Sequence, residues 1–140
     1  MNDKIKFKGY VVITDKRGQH TFNNIVTNGF YQLIADVLTG GSSESLTHMG
    51  LGTGTTTAAP SNTSLVTPVG VRKEITFTET TGAVIHLQTI VSGGELLFTW
   101  RELGVFTAVT GGIMTNRVNL NYTHNPGETV TIDYFIQREG

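Results

Sequence analysis

A chain of 140 residues with a formal net charge of −1 and no cysteine fits one domain that buries roughly two-thirds of its unfolded surface. The lack of thiols excludes disulfides, thiolate metal sites and cysteine nucleophiles, and the balanced charge supplies no basic stripe for nucleic acid. Charged residues are only 15% of the chain, against about 25% in an average domain. With abundant Gly, Thr and Asn, that composition suits a turn-rich β protein, and also one that covers part of its surface in an assembly.

Taken in chain order, the first predicted element is a strand from Ile5 to Thr14. Ile5, Phe7, Val11 and Ile13 alternate with Lys4, Lys6, Lys8 and Tyr10, a period-2 pattern with one apolar face. The preceding residues hold no apolar core of signal-peptide length, and no apolar run approaches the ~18 residues of a membrane span. The expectation is a soluble protein made in a cytoplasm. Asp15-Lys16-Arg17-Gly18 forms a turn, and His20 to Val26 returns as a second strand.

One helix is predicted, from about Gly29 to Leu38. Phe30, Leu33, Ile34, Val37 and Leu38 form one apolar stripe that should pack on the β core. Thr27 or Asn28 can cap its start, and Gly40-Gly41 can end it. A short strand follows from Leu46 to Leu51. Residues 52–69 then read as a long surface loop, with no charge between Gly52 and Asn62.

From Gly70 onward the pattern is an antiparallel series. It comprises Val71 to Glu79, Ala83 to Val91, Glu95 to Arg101, a hairpin, and a last strand from Glu128 to Gln137. In the hairpin, Leu103, Val105 and Thr107 alternate with Glu102, Gly104 and Phe106. Thr110-Gly111-Gly112 supplies residues that tolerate positive φ, and Ile113 to Leu120 runs back. Strands at roughly 10- to 12-residue spacing indicate an all-β, single-domain fold: an antiparallel β-sandwich, jelly-roll-like, of about eight strands with one short α-helix.

The hairpin also carries a resemblance. Glu102, Gly104, Phe106, then Gly111-Gly112, an apolar pair and Arg117 resemble a pattern of small structural proteins of tailed-bacteriophage virions. Met49-Gly50-Leu51-Gly52-Thr53-Gly54-Thr55 resembles the Ala-Leu-Gly-Thr-Gly-Thr element of the same proteins. Thr63-Ser64-Leu65 followed by Arg72 resembles the element after it, and Asn24 to Gly29 their amino-terminal segment. The motifs are individually Gly- and Thr-rich; their order and spacing from residue 20 to 137 carry the specificity. One departure stands out: the family pattern places a Glu between the Leu and the Arg, where this chain has Pro68 and Val69. An ion pair from that Glu is therefore in doubt here.

The residues themselves name no reaction. Gly50, Gly52 and Gly54 lack the following helix of a dinucleotide site, and no Gly-Lys-Ser/Thr occurs. His20, His48, His86 and His124 are scattered and are read as forming no metal site, His86 as a half-buried, hydrogen-bonded side chain. Glu74, Glu79, Glu95 and Glu102 could in principle meet across strands as an acid pair, although solvated or salt-bridged strand residues are the simpler expectation. Trp100 is expected in the core, continuing the face of Leu96 and Phe98. Trp100, Tyr31, Tyr122 and Tyr134 are the aromatic residues that could stack on a sugar.

The resemblance implies a non-enzymatic virion protein with no cofactor, whose partners are other capsid or tail subunits. A capsid decoration protein is the first expectation, since the chain has no repeat, heptad or shaft sequence. A tail, baseplate or fibre component and a carbohydrate- or cell-surface-binding module are the alternatives. A homo-oligomer, specifically a trimer, is expected on a symmetric target.

Overall fold

The computed structural model describes residues 6–139; Lys4 and Ile5 of the first expected strand lie outside the described residues. The chain forms β1 (Phe7–Asp15), β2 (Gly18–Val26), α1 (Asn28–Leu38), β3 (His48–Gly52) and β4 (Lys73–Glu74). It continues with β5 (Phe77–Thr81), β6 (Val84–Val91), β7 (Thr99–Phe106), β8 (Met114–Thr123) and β9 (Val130–Arg138). The protein is thus all-β with one short helix. All the described strands join one antiparallel sheet in the order β4-β3-β7-β8-β2-β1-β9-β6-β5.

The sheet curls until its two edges approach each other. β4 and β5 are consecutive in the chain yet occupy opposite edges, and the residues between them bond to both flanks. Ile75 N donates to Thr47 O beside β3 at 2.8 Å, and Thr76 N donates to Gln88 O on β6 at 3.0 Å. Thr89 Oγ1 on β6 also donates to Glu74 O at 2.6 Å. The expected single strand from Val71 to Glu79 is therefore two short ones, because no one ladder can run along both edges.

Within the curl, one core draws on both arms of the sheet: Val11 and Ile13, Leu87 and Val91, Leu103 and Val105, Val118, and the inward set Val130, Ile132, Tyr134 and Ile136. β9 alternates strictly between buried and half-buried positions, as a strand with one core face must. Each large apolar side chain buried this way contributes roughly 1.5–3 kcal/mol. Trp100 is fully buried, as expected, and its Nε1 donates to Leu96 O at 2.9 Å.

Two further boundaries depart from the sequence reading. Glu95 to Arg101 and the first arm of the hairpin are one strand, β7, with a register shift against β8 between Trp100 and Glu102. Leu96 and Phe98 lie before it, and Leu96 takes φ 53°. A local reading of alternation breaks at such a bulge, since it moves the next side chain to the other face.

α1 seats Phe30 and Leu33 against the core, with Phe30 edge-on to Phe7 at 5.1 Å. Its stripe is only partly used. Val37 is 44% and Leu38 79% exposed; the expectation that both pack on the sheet is corrected, because the last turn runs past the edge of the core. Thr27 occupies the N-cap position without capping. Its Oγ1 donates instead to Met114 O at 2.7 Å, tying the helix start to β8. Gly40, at φ 78°, turns the chain after the helix as expected.

Candidate functional site

β7 and β8 are buried on both faces, and the face away from the main core carries the unusual chemistry. In register across β3 and β7, Gly52 pairs with Glu102 and Gly50 with Gly104; across β7 and β8, Gly104 pairs with Arg117 and Phe106 with Met114. A strap comprising residues 53–72 crosses this face. It bears no regular structure beyond a bridge from Pro68 to Gly52.

Glu102 organises the strap. Its side chain is inaccessible to solvent, and its carboxylate accepts Gly54 N at 2.8 Å, Val66 N at 2.8 Å and Thr67 N at 2.7 Å. Arg117, equally buried, donates Nε to the same carboxylate at 3.1 Å and Nη1 to Asn62 Oδ1 at 3.3 Å. Burial alone would raise the Glu102 pKa, but the three backbone N–H groups and Arg117 outweigh it and hold the group below the usual carboxylate range. One buried carboxylate thus satisfies donors from two separate parts of an irregular segment.

Close approach explains the glycines. A Cβ on Gly52 would stand 2.3 Å from Thr67 O, and one on Gly54 2.5 Å from both Glu102 Oε2 and Val66 Cβ. A Cβ on Gly104 would lie 2.9 Å from the Phe106 ring and 3.1 Å from Leu65. Under the strap, Leu65, Phe106 and Met114 form a small second core. Thr53 N adds a bond to Thr67 O at 3.0 Å.

At the far end, the Arg72 guanidinium lies 3.5 Å above the Phe106 ring, and its Nη1 donates to Ala108 O at 2.9 Å and Gly111 O at 2.7 Å. Gly111 and Gly112 take φ 62° and 70°, as the hairpin reading requires. The contacts of Arg72 answer the question raised by Pro68 and Val69: this arginine is held by two carbonyls and a ring, with no described carboxylate within 4.0 Å. Burial draws its pKa below the ordinary value.

The structure therefore brings together Gly52, Thr53, Gly54, Leu65, Arg72, Glu102, Gly104, Phe106, Gly111, Gly112 and Arg117, residues that the sequence spreads over three separate segments. The segment before the helix joins them too, since Asn28 N donates to Pro60 O at 2.8 Å. Their shared task is mechanical: they clasp a neutral strap onto the sheet.

A second polar cluster escaped the sequence reading. Asp15 accepts from Tyr122 Oη and from Arg17 Nη2 at 2.7 Å, and His20 Nε2 lies 3.3 Å from it. Glu128 Oε1 lies 3.2 Å from the same Tyr122 Oη and 3.3 Å from Arg17 Nη2. Burial pushes the Asp15 pKa upward, but these donors prevail and hold it far below the usual range. Asp15 is thus a fixed anion, unsuited to donating a proton, and it pins the β1–β2 turn to the approach of β9. The only advance signal was an Asp-Lys-Arg-Gly turn, which gives no hint of a partner more than a hundred residues away.

The four glutamates considered as a possible acid pair go separate ways. Glu102 holds the strap, Glu95 accepts from Lys73 at 2.7 Å, and Glu74 and Glu79 are exposed on edge strands. Among the described residues no cluster of three or more His or acidic side chains could hold a metal ion. His86 is half-buried and bonded as expected, Nε2 to Asp133 Oδ1 at 2.7 Å. His124 stands four residues from Glu128, a spacing the sequence reading passed over, and contacts that residue's backbone oxygen at 2.6 Å.

Of the aromatic residues considered for sugar stacking, Trp100, Tyr122 and Tyr134 are buried and only Tyr31 is partly exposed. The outer face carries a different row, Tyr10, Phe135 and His86, with near-parallel rings 4.8 and 4.4 Å apart. These rings spend their faces on one another across strands. No helix among the described residues is long and apolar enough to cross a membrane. Comparison with family models, curated proteins and solved structures finds no match.

Proposed function

We propose that the chain is a non-enzymatic structural protein of a tailed-bacteriophage virion, made in the host cytoplasm and acting by binding other virion subunits. The observation that carries this reading is the convergence of the residues that resemble such proteins on the strap clasp, where each is occupied in holding backbone. Within the class, a capsid decoration protein is the preferred reading, because the strap offers a neutral, multiply tethered surface in a small fold with no shaft. A tail, baseplate or fibre position is the runner-up. The carbohydrate-binding alternative loses support from the burial of Trp100, Tyr122 and Tyr134.

A subunit on a repeated lattice gains from closed symmetry and multivalency, and we take a trimer as the working assembly. The test is to measure mass in solution and then co-sediment the protein with phage heads and, separately, with tails at low and high salt. Head binding that changes little with salt is expected from the low charge content. Binding to tails alone moves the protein to the tail. Failure on both particles, or a strict monomer free and bound, overturns the corresponding part of the proposal.

A further inference from the structure

We propose that the groove beside Arg72 receives a carboxylate-bearing apolar segment of a partner chain, an Asp or Glu flanked by aliphatic residues. The groove encloses about 310 Å³ between the strap and the hairpin tip, with Arg72 and Phe106 among its lining and Pro68, Val71 and Val109 along it. Its rim is apolar and presented to solvent: Val71 is 74% and Val109 49% exposed, with Val66 close by in the strap at 51%. Exposed aliphatic side chains around a half-buried arginine are the composition of an interface hot spot.

The charge of the occupant follows from the arginine. Arg72 Nη1 is taken by Ala108 O and Gly111 O, and the guanidinium is stacked on Phe106, so its plane is fixed. Nε and Nη2 have no acceptor among the described residues, and no described carboxylate comes within 4.0 Å. A guanidinium fixed in orientation, partly withdrawn from water and lacking a counter-ion favours a carboxylate, which it can bind through two charge-assisted hydrogen bonds. The valine rim excludes water from that pair and selects aliphatic neighbours. A sugar or a neutral peptide would leave the cation uncompensated.

The inference rests on the proposed binding role only in taking the occupant to be a subunit segment, and its test does not need a particle. Acetyl-Leu-Asp-Leu-amide and its Asn counterpart are titrated into isotopically labelled full-length protein while backbone amides and the Arg72 Nε–H are followed by NMR. The expected result is saturable shifts at Gly70 to Lys73 and Val109 to Gly111, with the Asp peptide binding about tenfold more tightly than the Asn peptide. Arg72→Met should abolish that preference. Val109→Glu, a change at an exposed hairpin position, places a competing carboxylate on the rim and should weaken the Asp peptide by about tenfold. Val37→Glu on the distant helix should leave binding unchanged. Equal affinity for the two peptides, no saturable shift at millimolar peptide, or Val109→Glu binding as tightly as the parent overturns the groove assignment. None of these outcomes bears on particle co-sedimentation, which tests the virion reading by itself.

Discussion

Glu102 Oε2 accepts the N–H of Gly54 at 2.8 Å, and a Cβ on Gly54 would stand 2.5 Å from that same oxygen. The bond and the missing side chain are two aspects of one requirement: the strap must come close enough for a buried carboxylate to reach its backbone. A residue with any side chain at 54 would push the strap off the anion that holds it.

Gly54→Ala should therefore destabilise the protein by about 1–3 kcal/mol, the usual cost of overpacking a fitted site. Gly94→Ala is the matched control, since nothing lies within 4 Å of a Cβ there, and it should change stability by less than about 0.5 kcal/mol. Denaturant unfolding of both variants checks the pair; equal effects would mean that the strap does not depend on close approach.

Glu102→Ala removes the acceptor of three backbone N–H groups and leaves Arg117 as a buried, uncompensated cation. A loss of about 3–5 kcal/mol is expected, the range for breaking a buried ion pair. Hydrogen exchange should show Gly54, Val66 and Thr67 losing protection before the strands of the main core. Protection that falls uniformly across the molecule would contradict a locally held strap.

Acid should loosen the same region. Glu102 and Asp15 both have folded pKa values below their unfolded ones. Their contribution is fully present above the unfolded values and is lost as pH falls through the depressed folded values. Stability should thus hold from neutral pH down to about pH 4 and decline below it. In Glu102→Gln the acid-induced loss between about pH 4 and pH 2 should be smaller than in the parent. Parallel pH curves for the two proteins would show that Glu102 is not the titrating contributor.

The helix gives a fourth test. Leu33 is 7% exposed and Leu38 79%, although the sequence pattern treats them alike. Leu33→Ala should cost about 2–5 kcal/mol through cavity formation, whereas Leu38→Ala should cost less than about 0.5 kcal/mol. Thermal or denaturant unfolding that ranks them equally would mean that the stripe packs differently.

What the sequence determined by itself was whatever is written in local periodicity and in backbone-permissive residues. Alternation along Val130, Ile132, Tyr134 and Ile136 reveals a strand with one core face, the spacing of Phe30, Leu33 and Ile34 reveals a helix, and Gly111-Gly112 reveals a reversal through positive φ, because each signal lies within a few residues. The motif residues from Gly52 to Arg117 could be picked out in the same way, but their common purpose could not. Only the tertiary structure decided that Glu102 reaches back to Gly54, Val66 and Thr67, that Asp15 meets Tyr122 and that residues 73–81 divide between opposite edges of one sheet. Those contacts join distant segments through single side chains, and a buried carboxylate reads in sequence like any strand glutamate until folding shows which donors surround it.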